Sequence, residues 1–191
     1  MTQFSLFGAA VAEPTLDDLD GVLLAGGHWA RSAAGARLSV VVAERWRADA
    51  LAAAFAARGV GCPDTVVSAT GGFAARTAFH ADLVDAAARW TRGANEGPPA
   101  SLVLTPGGLR LWVIAAGQPD DVGYLLASAD PDDAVHLAGG AQLARLGLAA
   151  VSISSRGAPG WRVTSVKRIR RLVELLGEAP PGAGQTWPRA R

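Results

Sequence analysis

Two stretches of the chain carry the side chains best suited to recognition chemistry. The segment SRGAPGWRVTSVKRIRR brings together Arg156, Trp161, Arg162, Lys167, Arg168, Arg170 and Arg171. Cations at this density can neutralise phosphates without reading a base sequence, and an indole can stack on an unpaired base. The other assignment makes Trp161 a core residue and the cations a solvated helix face; the residues leave both open. Arg31, Arg37, Arg76 and Arg110 alternate with apolar neighbours and would join the same surface wherever they point outward. The second stretch is Gln3-Phe4-Ser5-Leu6-Phe7, three large apolar residues ahead of the first expected element. Adjacent Leu and Phe anchors on a terminal segment can bury roughly 3 to 5 kcal/mol of transfer free energy in another protein's preformed pocket. Alternatively they pack on the chain's own surface as an edge strand or plug.

No catalytic or metal-binding constellation accompanies them. Cys62 is the only cysteine, which excludes an intrachain disulfide and a thiolate cluster, and His28, His80 and His136 are scattered singly. Ser39, Ser68 and Ser152 stand in strand-like segments outside any recognised nucleophile signature. Asp82 and Asp85 read as helix residues, and Asp120-Asp121 and the acids of 130–133 as helix starts. The glycine-bearing stretches ATGG and GGLRLW lack the strand-loop-lysine-helix context of a phosphate loop. The expectation is therefore no catalytic residue, no metal and no cofactor.

Composition sets the frame. Of 191 residues 50% are hydrophobic and 18% charged, which fits a folded domain with a full core or two fused lobes. The net charge is only +1, but from Gly140 onward nine basic residues face only Glu174 and Glu178, whereas Glu13 to Asp20 and Asp120 to Asp133 are acidic. Such an imbalance suits a polyanion-facing surface, as well as an ordinary solvated helix. No apolar run approaches membrane-spanning length, and no basic residue precedes the N-terminal apolar residues as in a secretory signal. With the single cysteine, this reads as a cytoplasmic protein without a membrane partner.

The elements that must position these residues follow from periodicity. Residues 1–14 read as a flexible tail, and Thr15 as the N-cap of a helix, LDDLDGVLLAGG, closed by Gly26-Gly27. Then come a hairpin (HWARSAAGARLSVVVAE), a helix (WRADALAAAFAARGV), a second hairpin turning at Gly71-Gly72, and a helix (HADLVDAAARW). After a linker at 94–100, SLVLTPGGLRLWVIAA is expected to be a hairpin turning at Pro106-Gly107-Gly108, and DDVGYLLASA a short helix. DDAVHLAGGAQLARLGL is the next helix, AAVSISSRGAPGWRVTS a hairpin and VKRIRRLVELLG the last helix, ahead of a flexible tail at 178–191. ARLSVVV matches LRLWVIA, and FAARGV with the following hairpin and helix matches LARLGL with its own, so residues 15–93 and 101–177 read as copies of one ββαββα unit. The opening helix finds no clear counterpart unless the helix at 80–92 serves twice. Leu137 to Gly140 repeats LAGG and is either a second such helix or a helix with a glycine-weakened middle.

An opening helix ending LLAGG, followed by a duplicated ββαββα unit, resembles the LAGLIDADG fold, and among its members the LAGLIDADG-like domain of WhiA-type bacterial regulators. The resemblance implies an α+β fold whose antiparallel sheets form a saddle on DNA, with Leu24, Ala25, Gly26 and Gly27 permitting close helix packing at its centre. Cleaving members hold a divalent cation on an acid at the end of each such helix. Here Gly26, Gly27 and His28 stand at that place. Separately, Gln3-Phe4-Ser5-Leu6-Phe7 resembles the pentapeptide with which replication and repair proteins bind the bacterial sliding clamp, its beta subunit. In that family the glutamine makes polar contacts and the Leu-Phe pair fills a pocket.

Together these imply a non-catalytic DNA-binding accessory protein of replication or repair, tethered to the clamp. A WhiA-like transcription regulator without a helix-turn-helix and a divergent nuclease are the alternatives.

Overall fold

The computed structural model describes residues 12–62, 66–67, 71–92, 95–128, 134–154 and 159–190. A helical turn at Leu16–Leu19 leads into α1 (Asp20–Leu24). Next come β1 (His28–Ser32), β2 (Gly35–Val42), α2 (Arg45–Ala56), β3 (Val66–Val67), β4 (Phe73–Arg76) and α3 (Val84–Arg89). A small ribbon, β5 (Thr91–Arg92) with β6 (Asn95–Glu96), occupies the connection between halves. The second half runs α4 (Pro106–Ala116), β7 (Gly117–Asp120), β8 (Gly123–Ala127), α5 (Ala134–Arg145), β9 (Val151–Ile153), β10 (Gly160–Val163) and α6 (Val166–Leu176). The two four-stranded sheets are antiparallel and have the same order, β1-β2-β4-β3 and β7-β8-β10-β9. Among the described residues no helix is long and apolar enough to cross a membrane.

The duplication is real, but its pairing differs from the one expected. The hairpin expected at 101–116 is helix α4, and it is the counterpart of α1 for which the sequence offered no clear match. Thr105 caps it, its hydroxyl oxygen accepting from the Gly108 amide at 2.8 Å, and Pro106 occupies the first turn, where no amide partner is needed. Leu109, Leu111, Trp112, Val113 and Ile114 are all buried. A helix with one charged residue, Arg110, among apolar residues has no periodic polar face, and a short run of that kind cannot be told from a buried strand. The short helix expected at 120–129 is instead the β7–β8 hairpin, with the Asp120 carboxylate accepting from the Asp121 amide at 2.7 Å in its turn. ARLSVVV therefore lies in β2 while LRLWVIA lies in α4, and that match fails. The match of FAARGV with LARLGL holds, because α2 and α5, then β3–β4 and β9–β10, then α3 and α6, correspond in order. The second LAGG belongs to α5, where Gly139 lies against the Trp112 ring and Gly140 against that of Trp161.

The core centres on α1 and α4. A Cβ placed on Gly21 would overlap the carbonyl oxygen of Gly108, so the two backbones touch there. Gly107 is equally constrained, since its Cβ would lie 2.6 Å from the Asp18 carboxylate. That carboxylate is buried: it accepts from the Thr15 amide (3.0 Å), the Thr105 hydroxyl (2.5 Å) and the Arg58 guanidinium (2.5 Å). One side chain thus ties the entry to α1, the start of α4 and the end of α2. Of the residues expected to pack the helix pair, Leu24 is buried, but Ala25, Gly26 and Gly27 terminate α1. Gly26 adopts φ 93° and the Gly27 amide returns to the Val22 carbonyl at 2.9 Å. The close approach is made one turn earlier, by Gly21.

The tail expected to be flexible at 178–191 packs on the body through Pro188, with Arg189 and Ala190 exposed. Trp187 is buried beneath the Arg110 guanidinium, 5.0 Å from its ring centre, and the Tyr124 hydroxyl donates to the Thr186 carbonyl at 2.9 Å. Gly21→Ala forces the central helices apart and lowers the unfolding free energy by about 3 kcal/mol, measured by urea denaturation. A wild-type midpoint in that variant would contradict the backbone contact.

Candidate nucleic-acid interface

Strand alternation decides which side chains each sheet offers. In the first sheet Leu38, Val40 and Val42 point into the core. The intervening residues of β2 form the other, helix-free face, where Arg37, Ser39 and Val41 are joined by His28 of β1 and Arg76 of β4, both paired across from Ser39. Arg37 lies two residues from Ser39 on that face and so stands diagonally beside Arg76. Its guanidinium rests on the Phe79 ring at 4.4 Å, and its Nε is buried without a hydrogen-bond partner. Arg76 makes no hydrogen bond or ion pair among the described residues. The first sheet therefore places two adjacent, half-buried guanidinium groups on the face turned away from the core.

The second sheet differs. Tyr124, Leu126 and Val163 face the core, and Trp161, two residues before Val163, lies on that same side. Its ring stacks on His136 with centroids 4.6 Å apart, and its Nε1 donates to the His136 carbonyl at 2.9 Å. Trp161 is thus half-buried against α5, on the core side of its sheet and not on the face that carries Arg162. Gln118, Leu125, Val151, Ile153 and Arg162 lie on the open face, but Arg162 is ion-paired with Asp120. This half of the open face carries no uncompensated cation among its described strand residues.

The remaining basic candidates are dispersed. Lys167, Arg168, Arg170 and Arg171 lie on α6, which buries Leu172, Leu175 and Leu176 in the core on the inner side of the sheets. The cluster read as one surface is therefore split between sheet and helix. Arg31 shares the inner side of β1 with Trp29 and donates to the Thr91 hydroxyl at 2.5 Å. Arg110 is on α4, donating to the carbonyls of Leu176 (2.5 Å) and Glu178 (2.6 Å), and burial pushes its pKa down. Neither joins Arg37 and Arg76. Arg156 and Gln3-Phe4-Ser5-Leu6-Phe7 lie outside the described residues.

The ends of the two central helices sit where the LAGLIDADG resemblance implies metal-holding acids. α1 ends in Ala25-Gly26-Gly27, and α4 in Ala116 followed by Gly117 and Gln118. Among the described residues no three His, Cys, Asp or Glu side chains gather as a metal site. Instead the buried Arg47 of α2 donates to the carbonyls of Ile114 (2.8 Å), Gly117 (2.7 Å) and Val113 (3.3 Å), while its Nε donates to Glu44 at 2.6 Å. A guanidinium at a helix C-terminus satisfies orphan carbonyls and complements the dipole. Sequence reading passed over Arg47: its Glu44 partner three residues away is visible locally, but its acceptors lie some seventy residues on. The buried carboxyl groups are at the other end of the helix pair. Asp20 is pushed upward by burial, against the opposing influence of its Trp90 indole donor (2.7 Å) and Arg89. The Tyr124 hydroxyl is likewise pushed upward by burial.

Arg47→Ala leaves three buried carbonyls without their donor and costs about 3 kcal/mol of stability, read from the urea midpoint. Unchanged stability would show that water replaces the guanidinium without loss.

No protein-family model and no curated protein matches the sequence. Among solved structures the chain is similar to the homing endonuclease I-WcaI bound to its DNA recognition sequence, with a TM-score of 0.62 and 14% sequence identity. The match covers 92% of this chain and 83% of that one. At that identity the likeness is one of fold, and it agrees with the paired sheets and central helices described above: the chain has a duplicated, LAGLIDADG-like α+β fold.

Proposed function

We propose that this protein binds duplex DNA on the open face of its paired sheets without cutting it, and that Gln3-Phe4-Ser5-Leu6-Phe7 tethers it to the sliding clamp in replication or repair. The observation that carries the DNA reading is the pair Arg37 and Arg76, side by side on the helix-free face of a fold that in I-WcaI is bound to DNA. Two guanidinium groups held on strands can contact phosphates with little ordering cost, since Arg37 is already fixed against Phe79. The absence of cleavage is supported by the residues at the central helix ends: Ala25, Gly26 and Gly27 on one, Ala116, Gly117 and Gln118 on the other. The Arg47 charge at the Gly117 carbonyl further opposes a divalent cation there.

The tether reading rests on the pentapeptide and on the exposure of the residues that follow it. Residues 12–15, which follow it after a short spacer, are exposed. Weak clamp and DNA contacts would reinforce one another, because linkage raises the effective concentration of the second site.

Arg37→Glu with Arg76→Glu lowers duplex affinity at least tenfold and reduces the salt dependence by about two phosphate contacts, measured by fluorescence anisotropy across a salt series. Wild-type affinity in that variant would overturn the placement of the site. DNA fragments released in Mg²⁺ or Mn²⁺ would make the protein a nuclease. Leu6→Ala with Phe7→Ala abolishes capture of the purified clamp and leaves DNA affinity unchanged; retained capture would overturn the tether.

A further inference from the structure

The four cations of α6 are left over once the open face is described. Lys167 and Arg170 are exposed and Arg168 and Arg171 half-buried, with Arg171 reaching Glu174 only at 3.7 Å and the other three unpaired among the described residues. Their arrangement works against the helix that carries them. Positions 167 and 170, 167 and 171, and 168 and 171 are neighbours on a helix surface, so like charges repel along it. All four fall in its N-terminal half, where the helix dipole favours acids, and its first turn contains none.

The fold does not require this cluster. The corresponding helix of the first half, α3, carries Asp85 and a single cation, Arg89, which is bound to Asp17 (2.9 Å) and lies 3.6 Å from Asp20. Both helices bury apolar residues on their inner side, yet only α6 concentrates positive charge outside. A charge cluster that opposes its own helix, and that its duplicate lacks, fits an external polyanion that neutralises it.

We infer that the outer face of α6 is a second, weaker duplex-DNA contact, so that one molecule bridges two DNA segments, one on the sheet face of Arg37 and Arg76 and one on α6. This rests on the DNA reading of the sheet face above. The two surfaces are distinct because α6 packs Leu172, Leu175 and Leu176 on the inner side of the sheets, whereas Arg37 and Arg76 lie on their other side. Its four cations suit the regular phosphate spacing of a duplex, where each contact releases a counterion.

The test uses the full chain, a bead-bound duplex and a second, labelled duplex at low salt, with sedimentation confirming the oligomeric state. Wild-type protein retains the labelled duplex on the beads. Lys167→Glu with Arg170→Glu reduces that retention at least tenfold while binding of a single duplex at limiting protein stays within about twofold. Two surface changes leave the fold intact, checked by circular dichroism and an unchanged urea midpoint. If the wild-type monomer binds one duplex and retains no second, or if the α6 variant still bridges, the inference fails and the sheet-face reading stands. If the protein binds no duplex at all, both fail.

Discussion

The structure turns on the backbone contact between Gly21 and Gly108. Two helices that bury most of their residues pack on one another, and at this point the partner is main chain. Any side chain there would widen the gap and disturb the layers built on it. The same junction holds the buried Asp18 carboxylate, whose charge is offset by Arg58 and by hydrogen bonds from Thr15 and Thr105. A buried anion satisfied by donors from three elements fixes their register, because removing one donor leaves the charge exposed to low dielectric. Small residues therefore set the distance between the halves, and one carboxylate sets their alignment.

From that centre the two halves repeat the same sheet order and have diverged where the core does not constrain them. Inner-face residues remain apolar in both copies, as with Val40 and Val42 in one and Tyr124, Leu126 and Val163 in the other. The outward positions differ in charge. In the first sheet Arg37 rests on Phe79 and neither it nor Arg76 has an ion pair among the described residues, whereas the second spends Arg162 on Asp120. The last helices diverge the other way, α3 with its cation internally bound and α6 with four within five residues. Duplication preserved a framework, and the surfaces of its copies took on unequal electrostatic character.

Much of the first half could be read directly from the chain. β1, β2 and α2 announce themselves through alternation, helical spacing and a closing glycine, and the LLAGG ending pointed to the fold. In the second half the sequence points away from α4, because PGG followed by LRLWVIAA offers turn chemistry and a largely apolar run at once. Thr105-Pro106 was the signal that could have resolved it, a cap followed by a proline at the first helical position. The candidate surface was legible only as a set of basic residues. Strand parity put Arg37 and Arg76 on one face and turned Trp161 inward, and no local pattern announced that Arg110 and Arg47 would be consumed by carbonyls of distant segments.

By itself, then, the sequence determined the mixture of helices and hairpins, their repetition and the surplus of cations toward the C-terminus, since these depend on composition and on periodicities of two and 3.6 residues, and the LLAGG resemblance added the α+β fold. The tertiary structure decided which helix pairs with α1, which arginines remain on the surface, and that the cations form two separate groups. The reason is that a guanidinium's role depends on what lies within a few ångströms of it. For Arg47 that is the end of α4, for Arg110 the C-terminal segment, and for Arg76 no protein partner among the described residues.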